Sequence, residues 1–144
     1  MSKYDILTKY LSLFSDDNIG KWFFDTENDG SFEHPIQFPY VMYSRAVEDF
    51  IGDVHACAEQ IGIKNYVEVL NRHNIEWNTE SMCSADVTKL NSETICALLL
   101  GAVRAEKFCD GALLNFFKSG CIEKWLTELK SQMEDKQVTS IKID

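Results

Sequence analysis

The sequence predicts a mainly α fold: a compact helical domain with a central buried helix and one small N-terminal β-hairpin. Apolar residues recur at helical spacing along most of the chain, and from Ile95 to Ala105 only Gly101 and Arg104 fall outside the apolar class. A helix with no wet face belongs among other helices. A cluster of aromatics at Trp22, Phe23 and Phe24, followed by Asn28-Asp29-Gly30, reads instead as strand and turn. The length of 144 residues fits one domain. A hydrophobic share of 45% excludes a disordered chain, and the interrupted apolar runs exclude a bilayer-crossing helix.

Each element has its own signal. Tyr4, Leu7, Leu11 and Phe14 share one helical stripe, with Ser2 and Asp5 at capping-box spacing and Asp16-Asp17-Asn18 as the stop. Residues 20–25 are too apolar on both faces for a solvated loop, so a buried strand is expected, with residues 36–42 returning as a second strand interrupted by Pro39. From the N-cap Ser44, the residues Val47, Phe50, Ile51, Val54, Cys57, Ala58 and Ile61 give an unbroken amphipathic stripe closed by Gly62. Asn65 and Glu68 then cap a short helix carrying Tyr66, Val69, Leu70 and His73, and residues 74–91 form a connection pinned by Ile75, Trp77, Met82 and Val87. The central helix spans Ile95 to Phe108. Asp110-Gly111 breaks it and caps a short helix with Leu113, Leu114, Phe116 and Phe117 that stops at Gly120. Ile122, Trp125, Leu126, Leu129 and Met133 line a last helix. The domain is read as residues 1–134, and 135–144 as a polar tail in which Ile141 and Ile143 alternate like an edge strand or have no structure at all.

Charge is the most informative composition. The chain has 14 Lys+Arg against 23 Asp+Glu, a net of −9, which opposes nonspecific binding to phosphate backbones. Between Asp16 and Glu59 stand ten acids and only two bases, Lys21 and Arg45. A hairpin loop bearing Asp25, Glu27 and Asp29 beside a helix face bearing Asp49 and Asp53 would attract a cationic partner; the plainer alternative is a solvated acidic face. Asp25-x-Glu27-x-Asp29-Gly30 begins like a calcium loop, but the position of its closing bidentate acid falls on Ile36. No metal and no cofactor are therefore expected. The five cysteines are odd in number and include no C-x-x-C pair, so they are read as reduced thiols. No leader pattern stands at Met1-Ser2-Lys3-Tyr4-Asp5, which makes the cytoplasm the expected compartment.

Four strings then carry a resemblance: Glu27-Asn28-Asp29-Gly30, His34-Pro35-Ile36-Gln37-Phe38-Pro39, Gly101 through Gly111 (Gly-Ala-Val-Arg-Ala-Glu-Lys-Phe-Cys-Asp-Gly), and Gly120 through Leu126 (Gly-Cys-Ile-Glu-Lys-Trp-Leu). Over roughly residues 4–130 the chain resembles an uncharacterised family of small bacterial and phage-borne proteins, and Arg104-Ala105-Glu106-Lys107-Phe108-Cys109-Asp110-Gly111 is the most specific part. The resemblance implies a compact single domain from a bacterial or phage source. It brings no activity and no catalytic residue.

Arg104 and Glu106 are charges at the end of an otherwise apolar helix, about 200° apart around its axis. They cannot pair with each other, so each needs a partner of its own. They either form internal ion pairs or, with Asp110, line a cleft for an anionic or polar ligand. His55, with Glu59 one turn on, is expected to favour the imidazolium, and His73 is expected as a hydrogen-bonded core residue. A Cys109 nucleophile is disfavoured by the neighbouring Asp110. With no nucleophile-base pair or phosphate loop legible, the expected function is a non-enzymatic acidic module that engages a basic protein surface. Its sharpest form is a phage or mobile-element inhibitor that mimics nucleic acid. It would bind neither nucleic acid directly nor a membrane. The alternative is a small polar-ligand-binding or hydrolytic domain using Arg104, Glu106 and Asp110.

Overall fold

The computed structural model describes residues 4–14, 19–23, 30–33 and 40–143, with side chains up to Met133 except that of Tyr40. The expected Ser2 cap, the stop at residues 16–18, and the residues of the turn and second strand at 24–29 and 34–39 lie outside these. Among the described residues the chain forms α1 (Asp5–Thr8) with a 3-10 turn (Lys9–Leu11), β1 (Gly20–Phe23), β2 (Tyr40–Tyr43), α2 (Arg45–Ile61), α3 (Tyr66–Asn71) and α4 (Thr79–Ser84). A second 3-10 turn (Val87–Lys89) precedes α5 (Ser92–Ala105), α6 (Ala112–Lys118) and α7 (Cys121–Ile143). The fold is mainly α with one small hairpin, as the sequence predicts.

Local chemistry sets the helix starts. Ser44 Oγ accepts the Val47 N–H and Asn65 Oδ1 accepts the Glu68 N–H. Asn78 and Asn91 do the same for Ser81 and Thr94, so α4 exists within the expected connection and α5 begins at Ser92 rather than Ile95. Eleven of the fourteen residues of α5 are buried, and the helix packs against α2, α3, α6 and α7. It is the centre of the core. It ends before Phe108, which is 73% exposed. The last helix continues through Ile143, so Ile141 and Ile143 are helical rather than part of an edge strand.

The hairpin departs from expectation. Gly20 pairs with Tyr43, Lys21 with Met42, Trp22 with Val41 and Phe23 with Tyr40 in antiparallel register. This puts Gly20, Trp22, Val41 and Tyr43 on the face toward the helices and Lys21, Phe23 and Met42 on the other. β1 is not a buried strand, for Trp22 is 37% and Phe23 40% exposed, and Met42 opposite it on β2 is 57% exposed. Among the described residues the sheet has two strands, and helices cover one of its faces.

Candidate functional site

Glu106 stands just past the end of α5 and collects the donors of the following turn. Its carboxylate accepts the N–H groups of Gly111 (2.9 Å) and Leu113 (3.0 Å) and the hydroxyl of Tyr43 (2.5 Å). The Tyr43 oxygen in turn accepts the Leu114 N–H at 3.0 Å. Three leading amides around α6 are thereby satisfied by one acid and one phenol, as helix starts require. The cap is Glu106, not Asp110, which is exposed: the amides around the start of α6 face back toward the end of α5, where Glu106 lies. Burial foremost, then the hydrogen bond to Glu106, raises the Tyr43 hydroxyl well above the ordinary phenol range. Gly111 adopts φ +89° beneath the Trp22 ring, and a Cβ there would collide with Trp22 Cζ2. The hairpin is thus pinned to the α5–α6 corner by Tyr43 and Trp22. The string from Arg104 to Gly111 acts here largely as a structural joint.

Of the expected acidic site, Asp25, Glu27 and Asp29 lie outside the described residues. Asp49 and Asp53 are on α2, but only Asp49 is well exposed, with Arg45 at 3.6 Å. Asp53 is structural. It accepts the Tyr10 hydroxyl at 2.6 Å and lies 3.5 Å from Lys9, tying the N-terminal turn to α2. Tyr10 is raised above the usual phenol range by burial and by that hydrogen bond. Glu48 and Glu59 are exposed on the same helix. β2 runs through Ser44 directly into α2, so the hairpin face that carries the partly exposed Phe23 and Met42 is followed within about one turn by Glu48 and Asp49. Lys21, Phe23 and Met42 help bound a groove of ≈ 360 Å³ on the hairpin. Sequence reasoning gave the acids but not the partly exposed Phe23 and Met42, because a run of aromatics does not show which face a sheet turns toward the helices.

The proposed Arg104–Glu106–Asp110 cleft separates into parts. Glu106 is engaged at the hairpin corner, Asp110 is exposed, and Arg104 turns away from both. Arg104 Nε is buried with no hydrogen-bond partner, and Arg104 makes no ion pair among the described residues. The charge it meets has the same sign. His55 on α2 is lowered from its ordinary pKa by burial foremost, then by Lys107 and Arg104, so the expected stabilisation of its imidazolium by Glu59 is overturned chiefly by desolvation. Nearby, Trp77 donates its indole N–H to the Gly101 carbonyl at 2.9 Å and meets Tyr66 and Phe108 in edge contacts at 5.4 and 5.5 Å. His73 is an exposed residue beyond the end of α3, not a core one, though its Nε2 lies 3.1 Å from Thr94 Oγ1.

The cysteines also differ from expectation. Cys83 on α4 is disulfide-bonded to Cys121, the first residue of α7, with Cα atoms 5.6 Å apart. The fold brings together two residues that lie 38 apart in sequence. Lys124 reinforces the contact by donating to the Cys83 and Ala85 carbonyls. Cys57 and Cys96 are buried with sulfurs 4.0 Å apart and outside any disulfide, and Cys109 is exposed. Among the described residues no group of three His, Cys, Asp or Glu side chains could hold a metal ion, and no helix is long and apolar enough to cross a membrane.

Comparison with curated proteins found no match, and comparison with solved structures found none either. A family of unknown function, DUF6508, matches residues 2–135, which includes every helix described except the end of α7. An uncharacterised family was expected, and the chain belongs to a family of unknown function, DUF6508.

Proposed function

We propose that the protein is a non-enzymatic binding module whose hairpin and adjoining acidic helix face engage a basic protein surface. The observation that carries this reading is the juxtaposition of exposed Phe23 and Met42 with the exposed acids Glu48 and Asp49 at the start of α2. An apolar patch with a charged border is the anatomy of a protein interface. Its negative sign selects a cationic partner and hastens encounter. A bacterial or phage setting, cytoplasmic action, and inhibition by occupying a nucleic-acid-binding groove are the specific forms proposed for it, with no nucleic acid or membrane bound directly. The hydrolytic alternative loses support because the Glu106 carboxylate is already taken up by Tyr43, Gly111 and Leu113.

Carbodiimide cross-linking in a lysate of the source cells should couple Glu48 or Asp49 to lysines of a protein of high isoelectric point. With that protein purified, Glu48→Lys/Asp49→Lys should slow association by roughly tenfold and Phe23→Ser/Met42→Ser should speed dissociation. Asp53 is left unchanged because it holds Tyr10. Association at the same rate, with the same salt dependence, in the doubly reversed protein would end the proposal.

A further inference from the structure

Two pairs of cysteines lie within reach of each other, and one of them is bonded. Cys57 and Cys96 face each other at 4.0 Å as thiols, whereas Cys83 and Cys121 share a disulfide. Access separates the pairs. Cys57 and Cys96 are fully buried, while Cys83 is half-buried near the end of α4. The two bonded sulfurs differ as well, for Cys121 is only 4% exposed, so a thiol arriving from solvent meets Cys83 first. Ser119 stands beside both, its Oγ 3.1 Å from Cys121 Sγ and 3.7 Å from Cys83 Sγ. The same hydroxyl also reaches the Phe116 carbonyl at 3.1 Å. It has one proton to give, and a thiolate would draw that proton more strongly than a carbonyl does. Lys124 ties the end of α4 to α7 by donating to the Cys83 and Ala85 carbonyls at 3.3 and 3.2 Å, and Met82 of α4 is fully buried. Neither anchor depends on the S–S bond.

We propose that Cys83–Cys121 is a reversible exchange site for a low-molecular-weight thiol, with Cys83 the sulfur attacked, Cys121 the leaving group and Ser119 the donor to the departing thiolate. The incoming thiolate bonds to Cys83 Sγ, the Cys83–Cys121 bond breaks, and its electron pair stays on Cys121 Sγ. The Ser119 hydroxyl turns from the Phe116 carbonyl to that sulfur. Cys121 is the first residue of the 23-residue α7, so the helix start also favours negative charge there, with Lys124 adding to the effect and the exposed Glu123 opposing it. A second small thiol then attacks the mixed disulfide and frees Cys83. The protein disulfide gains two electrons, two small thiols become one small disulfide, and the two protons they give up end on Cys83 and Cys121. The return path starts from the mixed disulfide. Because Lys124 and Met82 keep α4 in place, the Cys121 thiolate attacks Cys83 Sγ within one molecule and expels the small thiol.

The probes are 2-mercaptoethanol and its disulfide, used on the full-length protein with Cys109→Ser to remove the exposed free thiol. Opening of the bond is read by acid quenching, alkylation in denaturant and peptide mass spectrometry. Alkylation of Cys57 and Cys96 in the native protein reads unfolding in parallel, since both are buried. Opening should be first order in thiol and at least roughly tenfold faster than the labelling of Cys57 and Cys96. The oxidised probe should cap Cys83 in Cys121→Ser roughly tenfold faster than Cys121 in Cys83→Ser, because access differs. Ser119→Ala should slow opening by roughly threefold to tenfold, the scale of a hydrogen bond to a charged group, and leave the labelling of Cys57 and Cys96 unchanged. Kinetics of the intact bond decide the question even if a cysteine variant unfolds. Opening no faster than the labelling of Cys57 and Cys96 would overturn the proposal and leave the bond a staple of the fold. So would equal capping of the two single cysteines, or an unaltered opening rate in Ser119→Ala.

Discussion

Glu106 shows how one side chain can join three elements. Replaced by Gln, it would present one acceptor oxygen and an NH2 group to donors from Tyr43, Gly111 and Leu113. Glu106→Gln should destabilise the fold by about 2–4 kcal/mol, the order expected when several hydrogen bonds to a charged acceptor are lost. Chemical denaturation measures this, and a loss below about 0.5 kcal/mol would deny Glu106 its role at the corner. Gly111→Ala tests the other half of the joint. It should lose about 1–3 kcal/mol, because the new Cβ meets both a left-handed backbone and the Trp22 ring. In a Trp22→Ala background only the steric share should be recovered, since φ +89° remains. The sequence made it clear that Arg104 and Glu106 each needed a partner. Glu106 found one that the sequence could not name, because Tyr43 lies 63 residues away and such pairing exists only once the hairpin has docked, whereas Arg104 Nε has none among the described residues.

At the scale of elements, legibility followed locality. α2 was readable throughout because its stripe, its Ser44 cap and its Gly62 end are all within the helix or next to it. α5 was readable as the core because no orientation of so apolar a helix leaves a wet face. Leu99, fully buried at its middle, should cost about 2–5 kcal/mol on replacement by Ala, and a urea melt showing under about 1 kcal/mol would remove α5 from the centre. β1 was misjudged because a cluster of apolar residues specifies neither how many strands a sheet has nor which face a helix covers. The Cys83–Cys121 bond was missed for a related reason: proximity of α4 to the start of α7 is a tertiary fact, and spacing along the chain is silent about it. Alkylation followed by mass spectrometry should label Cys109 first in the native protein and Cys57 and Cys96 only after unfolding. Cys83 and Cys121 should be labelled only after reduction. Five labels on the unfolded, unreduced chain would show that the staple does not form.

For the molecule as a whole, the phenols set an upper pH limit. Burial foremost pushes Tyr4 up to about 12, and Tyr10 and Tyr43 are raised by burial and by hydrogen bonds to Asp53 and Glu106. An unfolded phenol ionises near 10. Between that pH and the folded pKa the unfolded chain has bound fewer protons, so stability is complete below pH ~10 and falls as pH rises through 12. A titration of absorbance at 295 nm should show these three tyrosines ionising only as the fold melts; their ionisation near pH 10 with circular dichroism unchanged would contradict their placement. The net charge of −9 was legible from composition, whereas its local exceptions were not: Arg104 and Lys107 could be set beside His55 only by packing α5 against α2. The same packing has an optical consequence. The three tryptophans occupy three separate settings: Trp22 over Gly111, Trp77 against Phe108, and Trp125 at the core. Light emitted by Trp22 should change when a protein covers the hairpin, and light from Trp125 only when the chain unfolds. Single-tryptophan variants would therefore let the molecule report by its own fluorescence whether its hairpin is covered or its core has opened.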